Sequence, residues 1–166
     1  MIKFRPIDEE EYGVFRSLDV EFGIDIEAML GEKKIVVGHG RRREVFITNE
    51  ETFDLLEGME KGPYFVGLYL GDIKGKNFIL GLEGASLMSG HTEKKVVVGP
   101  KVEQLVLYGR DVSPNSVLEV GEDIKVGDRV LIVNERDECV GIGKVRKGEV
   151  FIENLMDRGW YLRKGE

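Results

Sequence analysis

The first half of the chain mixes helical spacing of apolar residues with short β-branched runs. Asp8 and Glu11 have the spacing of a capping box, which predicts a helix from there to about Leu18. Thr48 and Glu51 have the same spacing and predict a second helix. Between these helices, "KIVVGHG" and "EVFIT" are typical of strands. The pattern therefore predicts an α+β arrangement for this half.

A hairpin and a short helix follow. In "YFVGLYLGDIKGKNFILGL" two apolar runs flank the turn residues 72–75, which is the usual signature of two antiparallel strands. The segment "EGASLM" then predicts a short helix, and "HTEKK" is polar throughout. We place a domain boundary at this polar segment, which gives an N-terminal antiparallel-sheet α+β domain at residues 1–92.

The second half, residues 93–166, contains many short apolar runs separated by glycine turns. The runs are "KVVVG", "SVLEV", "DRVLIVN", "CVGIGKV", "EVFIEN" and "GWYL", with one short helix after the first of them. Closely spaced short strands of this kind predict a compact β-barrel. In "GWYL" we expect a closing strand on which Trp160 and Tyr161 point to opposite faces, so that one ring is exposed for stacking.

The segment "EQLVLYGRDVSPNSV" ends the helix of the second half. Val102, Leu105 and Val106 have helical spacing, and Gly109 stands where a left-handed C-terminal cap belongs. Ser113-Pro114-Asn115 predicts a turn behind it. This order of residues places Arg110 on an exposed glycine loop, where the backbone amides can approach a nucleotide closely.

Composition indicates an ordinary globular protein. The 166 residues are 42% hydrophobic, and no stretch approaches the roughly 18 consecutive apolar residues of a membrane span. The N-terminal "MIKFRPIDEEEY" has no apolar signal core, so we expect a cytoplasmic protein. Cys139 is the single cysteine, and His39 and His91 lie far apart in sequence. We therefore expect no disulfide, no metal and no cofactor.

The net charge of −7 is unevenly distributed and argues against a generic nucleic-acid binder. Residues 1–92 hold 17 acidic and 11 basic side chains, whereas residues 93–166 hold 14 acidic and 13 basic ones. The second half can therefore present a basic face that the total charge conceals.

The basic residues of the second half form the candidate phosphate-binding set. Arg110 lies on the glycine loop, Lys144, Arg146 and Lys147 surround the turn "KVRKGE", and three more flank the last strand. Lys144 and Arg146 are two residues apart, so we expect them on the same strand face. The last group is Arg158, Arg163 and Lys164.

Other polar motifs give weaker signals. "GHGRRR" has the first spacing of a dinucleotide fingerprint, but Arg43 replaces the third glycine, so Arg41 to Arg43 are interpreted as a solvated loop between strands. Ser86, Ser89 and His91 lie close in sequence without a nucleophile elbow. We therefore expect no catalytic residue and no enzyme.

Three features of the second half together resemble a PUA domain, the small pseudo-β-barrel of RNA-modifying and ribosome-biogenesis proteins. They are the helix that runs into "YGRDV", the turn "IKVGD" at residues 124–128, and the strand "VGIG" at residues 140–143. The resemblance implies that the glycine loop meets RNA, which places Tyr108, Gly109 and Arg110 at the RNA-binding site. The charge distribution adds Lys144, Arg146, Lys147, Arg158 and Arg163 to that site.

Nearly the whole chain is similar to the nuclear-import-protein-seven family of large-subunit ribosome biogenesis factors, in an archaeal form. "RPIDEEE", "NFILGLEGASLM" and "PKVEQLVLYGRDV" carry the resemblance. It implies an N-terminal α+β domain that contacts proteins, a C-terminal PUA domain that binds RNA, and no catalysis.

These expectations combine into one hypothesis with two alternatives. The hypothesis is an RNA-binding factor that acts on precursor ribosomal RNA during large-subunit assembly and ribosomal RNA processing, with assembly proteins bound by the N-terminal domain. The alternatives are a protein-only adaptor and an accessory subunit of an RNA-modification enzyme. The acidic balance predicts modest RNA affinity or dependence on a protein partner. The sequence leaves open the bound RNA, the protein partner, the oligomeric state, the stage of assembly and whether Arg41 to Arg43 join the RNA face.

Overall fold

The computed structural model describes residues 2–59 and 62–163, with the side chain of Tyr161 outside the description. Lys164, a member of the predicted basic set, lies outside the described residues. The described chain forms two units. One holds the positions up to Val20 and Ile24–Gly84, and the other holds Glu21–Gly23 and the positions from Ala85 onward. The predicted boundary between residues 92 and 93 falls inside the second unit's segment, and the division of roles between two domains stays a prediction.

The first unit is built on a five-stranded antiparallel sheet in sequential order, β1-β2-β3-β4-β5. The predicted strands and hairpin are present, while β1 and the short α2 were not predicted. The strands are β1 (Lys3–Pro6), β2 (Lys34–His39), β3 (Arg43–Thr48), β4 (Leu68–Lys74) and β5 (Asn77–Leu80), and the helices are α1 (Glu9–Phe22), α2 (Ile26–Leu30) and α3 (Glu50–Glu57).

The start of α1 was predicted correctly and the start of α3 was not. The Glu11 N–H donates to Asp8 Oδ1 at 2.8 Å and the Asp8 N–H to Glu11 Oε2 at 3.3 Å, which is a reciprocal capping box. Thr48, however, is still paired with Lys34 in the sheet, so it cannot cap a helix. Asn49 caps α3 instead, and its side-chain oxygen accepts from the Thr52 N–H at 2.8 Å.

The second unit contains a mixed five-stranded sheet in the order β10-β9-β8-β6-β7. Strands β6 and β8 are parallel and the other neighbouring pairs are antiparallel. The strands are β6 (Lys95–Val98), β7 (Val117–Val120), β8 (Arg129–Val133), β9 (Cys139–Val145) and β10 (Ile152–Asp157); α5 is Pro100–Leu107, α6 is Trp160–Arg163, and α4 (Leu82–Met88) leads from the first unit into the second. A 3₁₀ turn at Pro114–Ser116 occupies the predicted turn.

The core of the second unit is a cluster of valines and isoleucines from the sheet, joined by Val106 of α5. Val130, Ile132 and Ile152 in this cluster have no exposed surface. Cys139 is buried, as expected for a small apolar side chain. Packing of α5 on this cluster fixes the helix and thereby the position at which its C-terminal loop emerges.

The expected closing strand at "GWYL" is wrong, because these residues begin the short helix α6. The N–H groups of Leu162 and Arg163 both donate to the Gly159 carbonyl, at 3.1 and 3.2 Å. Arg163 also pairs with Asp157, which a helical turn permits and an extended strand would not. Trp160 is 41% exposed, but on a helix rather than a strand.

Candidate nucleic-acid interface

The C-terminus of α5 is closed by a Schellman motif, as the position of Gly109 predicted. The Gly109 N–H donates to the Val106 carbonyl at 2.8 Å, and the Arg110 N–H donates to the Leu105 carbonyl at 3.0 Å. Gly109 has φ +79°, a conformation that side-chain-bearing residues rarely adopt. The two amides are therefore used within the helix cap, and the approach of this backbone to a nucleotide stays a prediction.

The cap leaves two side chains directed to solvent. Tyr108 is 71% exposed. Arg110 is exposed and forms no ion pair with any residue that the structure describes. An accessible aromatic ring beside an unpaired guanidinium can stack on a base and contact a phosphate.

Asn154 of β10 fastens this loop to the sheet. Its side-chain amide donates to the Val106 carbonyl at 3.0 Å and to the Arg110 carbonyl at 3.2 Å. Its backbone N–H donates to Asp111 Oδ1 at 2.8 Å, beside a shift in the β9–β10 register. These three hydrogen bonds hold the loop in one conformation before any ligand binds, which lowers the entropic cost of binding.

Arg163 of α6 supports the loop through hydrogen bonds. Its guanidinium forms two hydrogen bonds of 2.9 Å with the buried carboxylate of Asp157 and donates to the Leu107 carbonyl at the end of α5. The Asp157 carboxylate raises the pKa of Arg163, so the side chain remains charged. A Cβ atom at Gly109 would lie 2.9 Å from Arg163 Nη2. Arg163 is thus engaged in holding the loop.

A groove of about 790 Å³ separates α5 from α6. Arg158 lies in it, and its Nε donates to the Cys139 carbonyl at 2.6 Å while a terminal nitrogen donates to Ser86 Oγ. The guanidinium of Arg158, like that of Arg163, is therefore engaged in hydrogen bonds within the protein. The groove is lined by Glu103, Gln104, Leu107, Tyr108, Glu138, Cys139, Val140, Arg158, Gly159, Leu162 and Arg163.

The basic residues near the β9–β10 turn differ in whether their charges are already paired with an acidic residue. Lys144 precedes the buried Val145, which packs in the same cluster as Val106, so alternation directs Lys144 to the opposite face of the sheet. Arg146 forms an ion pair with Glu153. Lys147 is exposed in the turn, and within the described chain it has no ion-pair partner.

The eight predicted site residues therefore fall into two groups. Tyr108, Gly109 and Arg110 lie together at the end of α5, and Arg158 and Arg163 line the adjacent groove. Lys144, Arg146 and Lys147 lie at the end of β9 and in the turn after it. Whether any of the eight contacts RNA stays a prediction.

Sequence reasoning missed the residues that build the loop, which are Asn154, Asp157 and Asp111. Their signal was weak but present, since Asn154 and Asp157 stand, with Glu153, among the apolar residues of "FIENLMD". A polar residue at a buried strand position usually has a specific hydrogen-bonding partner. The sequence could not identify these partners, which are backbone carbonyls for the Asn154 side chain and the Arg163 guanidinium for Asp157.

The turn "IKVGD", residues 124–128, is held by hydrogen bonds to the side chain of Asp128. Asp128 Oδ2 accepts from the Lys125 N–H at 2.9 Å and from Lys94 Nζ at 2.8 Å. These hydrogen bonds lower the pKa of the Asp128 carboxyl, with the Lys94 side chain as the largest cause. The charged form of Asp128 therefore stabilises the entry into β8.

Arg41 and Arg42 lie in the loop between β2 and β3, as expected, whereas Arg43 is the first residue of β3 and pairs with His39 and Ile73. Arg42 lies 3.3 Å from Asp72, and Arg43 lies 3.5 Å from Glu11. Among the described residues, no group of three or more His, Cys, Asp or Glu side chains has the arrangement of a metal site. In the same part of the chain, no helix combines the length and apolar character needed to cross a bilayer.

Family comparisons cover both halves of the chain. Residues 4–82 match the family described as "NIP7/UPF0113, pre-PUA domain", and residues 94–166 match the "UPF0113 PUA domain". A UPF0113 protein of Archaeoglobus fulgidus is 30% identical over 170 residues, which cover 96% of this chain and 94% of that protein.

Two further similarities concern the fold and the second half. A conserved PUA domain protein of Thermoplasma acidophilum has a TM-score of 0.62 at 13% identity, with 98% of each chain covered. A tRNA-guanine(15) transglycosylase of Methanobrevibacter smithii is 40% identical over 80 residues, which are 46% of this chain and 12% of that enzyme. The predicted fold, an α+β sheet domain followed by a PUA domain, is confirmed.

Proposed function

This chain belongs to the NIP7/UPF0113 family, in which a pre-PUA domain precedes a PUA domain, and on that premise we propose that it binds RNA through the loop Tyr108–Gly109–Arg110. One observation carries the proposal: a rigid helix cap presents an exposed tyrosine next to an arginine that has no ion-pair partner among the described residues. Tyr108 stacks on an unpaired base and Arg110 neutralises a phosphate.

The availability of the other basic residues orders their expected contributions. Lys147 is exposed and contacts phosphate together with Arg110, whereas Lys144 and Arg146 lie at the margin of the interface. Arg158 and Arg163 act through the groove and the loop that they support. This order predicts that charge reversal at Arg110 weakens RNA binding most among these residues.

We further propose that the target is precursor ribosomal RNA during large-subunit assembly and processing. In this role the protein is cytoplasmic and carries out no catalysis. Residues 93–166 act as the RNA-binding domain and residues 1–92 bind assembly proteins. The family relationship and the acidic character of residues 1–92 support this division, since a region with 17 acidic and 11 basic residues does not favour phosphate.

The direct test is fluorescence anisotropy of a labelled single-stranded RNA titrated with the wild type and with Arg110→Glu. We expect the variant to bind about tenfold or more weakly, because one favourable phosphate contact becomes a repulsive one. Lys76→Glu is the matched control, since it reverses an exposed charge in the β4–β5 turn. Equal weakening by both variants would show an effect of net charge alone and would contradict the loop as the binding site.

The similarity to a tRNA-guanine(15) transglycosylase favours one second candidate, an accessory protein of an RNA-modification enzyme. A competition experiment with the labelled RNA distinguishes transfer RNA from precursor ribosomal RNA as the target. Unlabelled transfer RNA should displace the labelled probe less well than a fragment of precursor ribosomal RNA if the assembly role holds. Preferential displacement by transfer RNA would support the modification role instead.

A further inference from the structure

The two sides of the first unit's sheet differ in how completely they are covered. On the side packed by α1, Phe15 and Leu18 are each 1% exposed. Helix α3, by contrast, has no buried residue, although its sequence is amphipathic. Its apolar residues Phe53 and Leu56 pack on the cluster around Phe46 but remain only half-buried. On the α3 side the sheet residues are therefore buried, but the side chains that cover them stay partly exposed.

Two aromatic side chains extend this partly exposed surface. Phe65 packs edge-on against Phe46, with ring centroids 6.4 Å apart, and is still 75% exposed. Its neighbour Tyr64 is 84% exposed. Phe65 thus packs against the same cluster as Phe53 and Leu56 of α3. We use the name aromatic patch for Tyr64, Phe65, Leu55 and Met59, of which the last two are 70% and 49% exposed.

The segment that carries the two aromatic side chains is flanked by two glycines at which the backbone packs closely. Gly67 has φ +69°, and a Cβ atom there would lie 2.0 Å from the Ile47 carbonyl oxygen. At the other end, a Cβ atom at Gly62 would lie 2.9 Å from the Ile2 carbonyl oxygen. The backbone therefore packs closely against neighbouring backbone at the glycines on both sides of Tyr64 and Phe65. A pair of adjacent exposed aromatic side chains is typical of a protein-binding surface.

The charges around the aromatic patch select its partner. Glu51, Asp54 and Glu57 of α3 are exposed, and none has an ion-pair partner within the described chain. RNA and anionic lipid surfaces are repelled by these carboxylates. A second copy of this chain, docked through the same patch, would bring the carboxylates against each other. A segment with apolar residues flanked by lysines or arginines complements both the patch and its charge.

We propose that the aromatic patch binds a basic, apolar segment of a partner protein. The apolar side chains of that segment cover Tyr64, Phe65 and Leu55, and its cationic side chains pair with the carboxylates of α3. This inference rests on the proposed protein-binding role of residues 1–92 and adds to it the surface and the chemistry of the partner.

The test uses the full chain and a fluorescein-labelled amphipathic peptide of leucine and lysine as the probe. We expect binding that weakens with added salt, and at least about a tenfold loss of affinity in the double variant Leu55→Ser with Tyr64→Ser. Val20→Ser is the matched control, because Val20 is 90% exposed and lies on α1. We also expect Asp54→Lys to weaken binding by several fold.

Several outcomes would overturn the proposal. They are an absence of peptide binding to the wild type, equal binding by the double variant, or equal binding of a peptide in which glutamate replaces lysine. Self-association of the wild type that the double variant lacks, measured by sedimentation, would assign the patch to a second copy. RNA anisotropy with the double variant separates the two proposals, because we expect RNA affinity to be unchanged. Absence of RNA binding by the wild type would contradict the proposed RNA-binding role and leave the peptide result standing.

Discussion

Glu11 illustrates at the residue scale how much a single side chain can hold together. The sequence predicted its role in the helix cap, since the spacing to Asp8 is local. It did not predict that both carboxylate oxygens of Glu11 accept hydrogen bonds of 2.7 Å from Arg5, or that Arg43 lies 3.5 Å away. Those contacts join separate strands, and local spacing carries no information about them.

Glu11→Gln tests this buried ion pair. Hydrogen bonds from Arg5 lower the pKa of Glu11 below its ordinary value of 4.5, so its contribution is complete above that value and is lost as the pH falls through the lower, folded pKa. We expect the variant to lose about 2 kcal/mol of unfolding free energy at neutral pH and to lose less than the wild type on acidification below about pH 4.5. Urea denaturation followed by circular dichroism measures both effects.

The exposed neighbour Glu10 provides the control for this prediction. Glu10→Gln should leave the urea midpoint at neutral pH nearly unchanged, because it removes no buried partner. A loss in Glu10→Gln as large as that in Glu11→Gln would mean that net charge, and not the Arg5 pair, sets the stability.

Gly109→Ala tests the close approach between the Gly109 backbone and the Arg163 guanidinium. Its positive φ and the Arg163 guanidinium, which lies 2.9 Å from a Cβ atom at this position, predict a loss of about 1–2 kcal/mol in unfolding free energy. Gly75→Ala shares a positive φ of +61° but meets no atom within 4 Å, so we expect a smaller loss. Urea midpoints compare the two variants, and equal losses would show that the Arg163 contact costs nothing.

At the scale of elements, periodicity predicted those with a strong local pattern and failed for those defined by contacts. Helix α5, its glycine cap and the hairpin β4–β5 follow from spacing and turn residues, although β4 runs to Lys74 and only Gly75 of the predicted turn residues 72–75 lies in the turn. The helix α6 has only four residues, and its Asp157–Arg163 pair decides against the strand expected there. Strand β1 was missed because its four residues are too few to show a clear alternation of apolar and polar positions.

Asn154→Ala tests how β10 controls the loop after α5. The substitution removes the donor that satisfies the Val106 and Arg110 carbonyls, so we expect a loss of about 1–2 kcal/mol in unfolding free energy. We also expect faster amide hydrogen exchange at Arg110, measured by NMR, because the loop is then free to open. Asn115→Ala, at an exposed position in the 3₁₀ turn, should change neither quantity. Unchanged exchange in Asn154→Ala would show that the helix cap alone fixes the loop.

At the scale of the whole molecule, composition and family resemblance predicted two domains and a second half that is less acidic than the first and can present a basic face. They could not predict which cations are available, because that depends on the acids that the fold brings beside them. Arg146 and Arg163 are engaged by Glu153 and Asp157, whereas Arg110 and Lys147 have no such partner in the described part of the chain. The candidate site is therefore smaller than the list of basic residues that the sequence provided.

The salt dependence of RNA binding reports how many cations act together. If about four phosphates are contacted, the logarithm of the binding constant should fall with the logarithm of salt concentration with a slope near −3. Arg110→Glu should make this slope shallower by about 0.7, since one phosphate contact is lost. Anisotropy titrations at several salt concentrations measure both slopes, and a binding constant independent of salt would exclude this mechanism.

The most direct test of the central claim is to map the RNA contact by NMR. A single-stranded RNA is added to the ¹⁵N-labelled 166-residue protein and the amide chemical shifts are followed. The account predicts that the largest changes occur at Tyr108 to Arg110 and at Lys147, with little change in α3. Changes concentrated in the first unit, with the loop after α5 unaffected, would contradict the claim that the glycine loop of the PUA domain is the RNA-binding site.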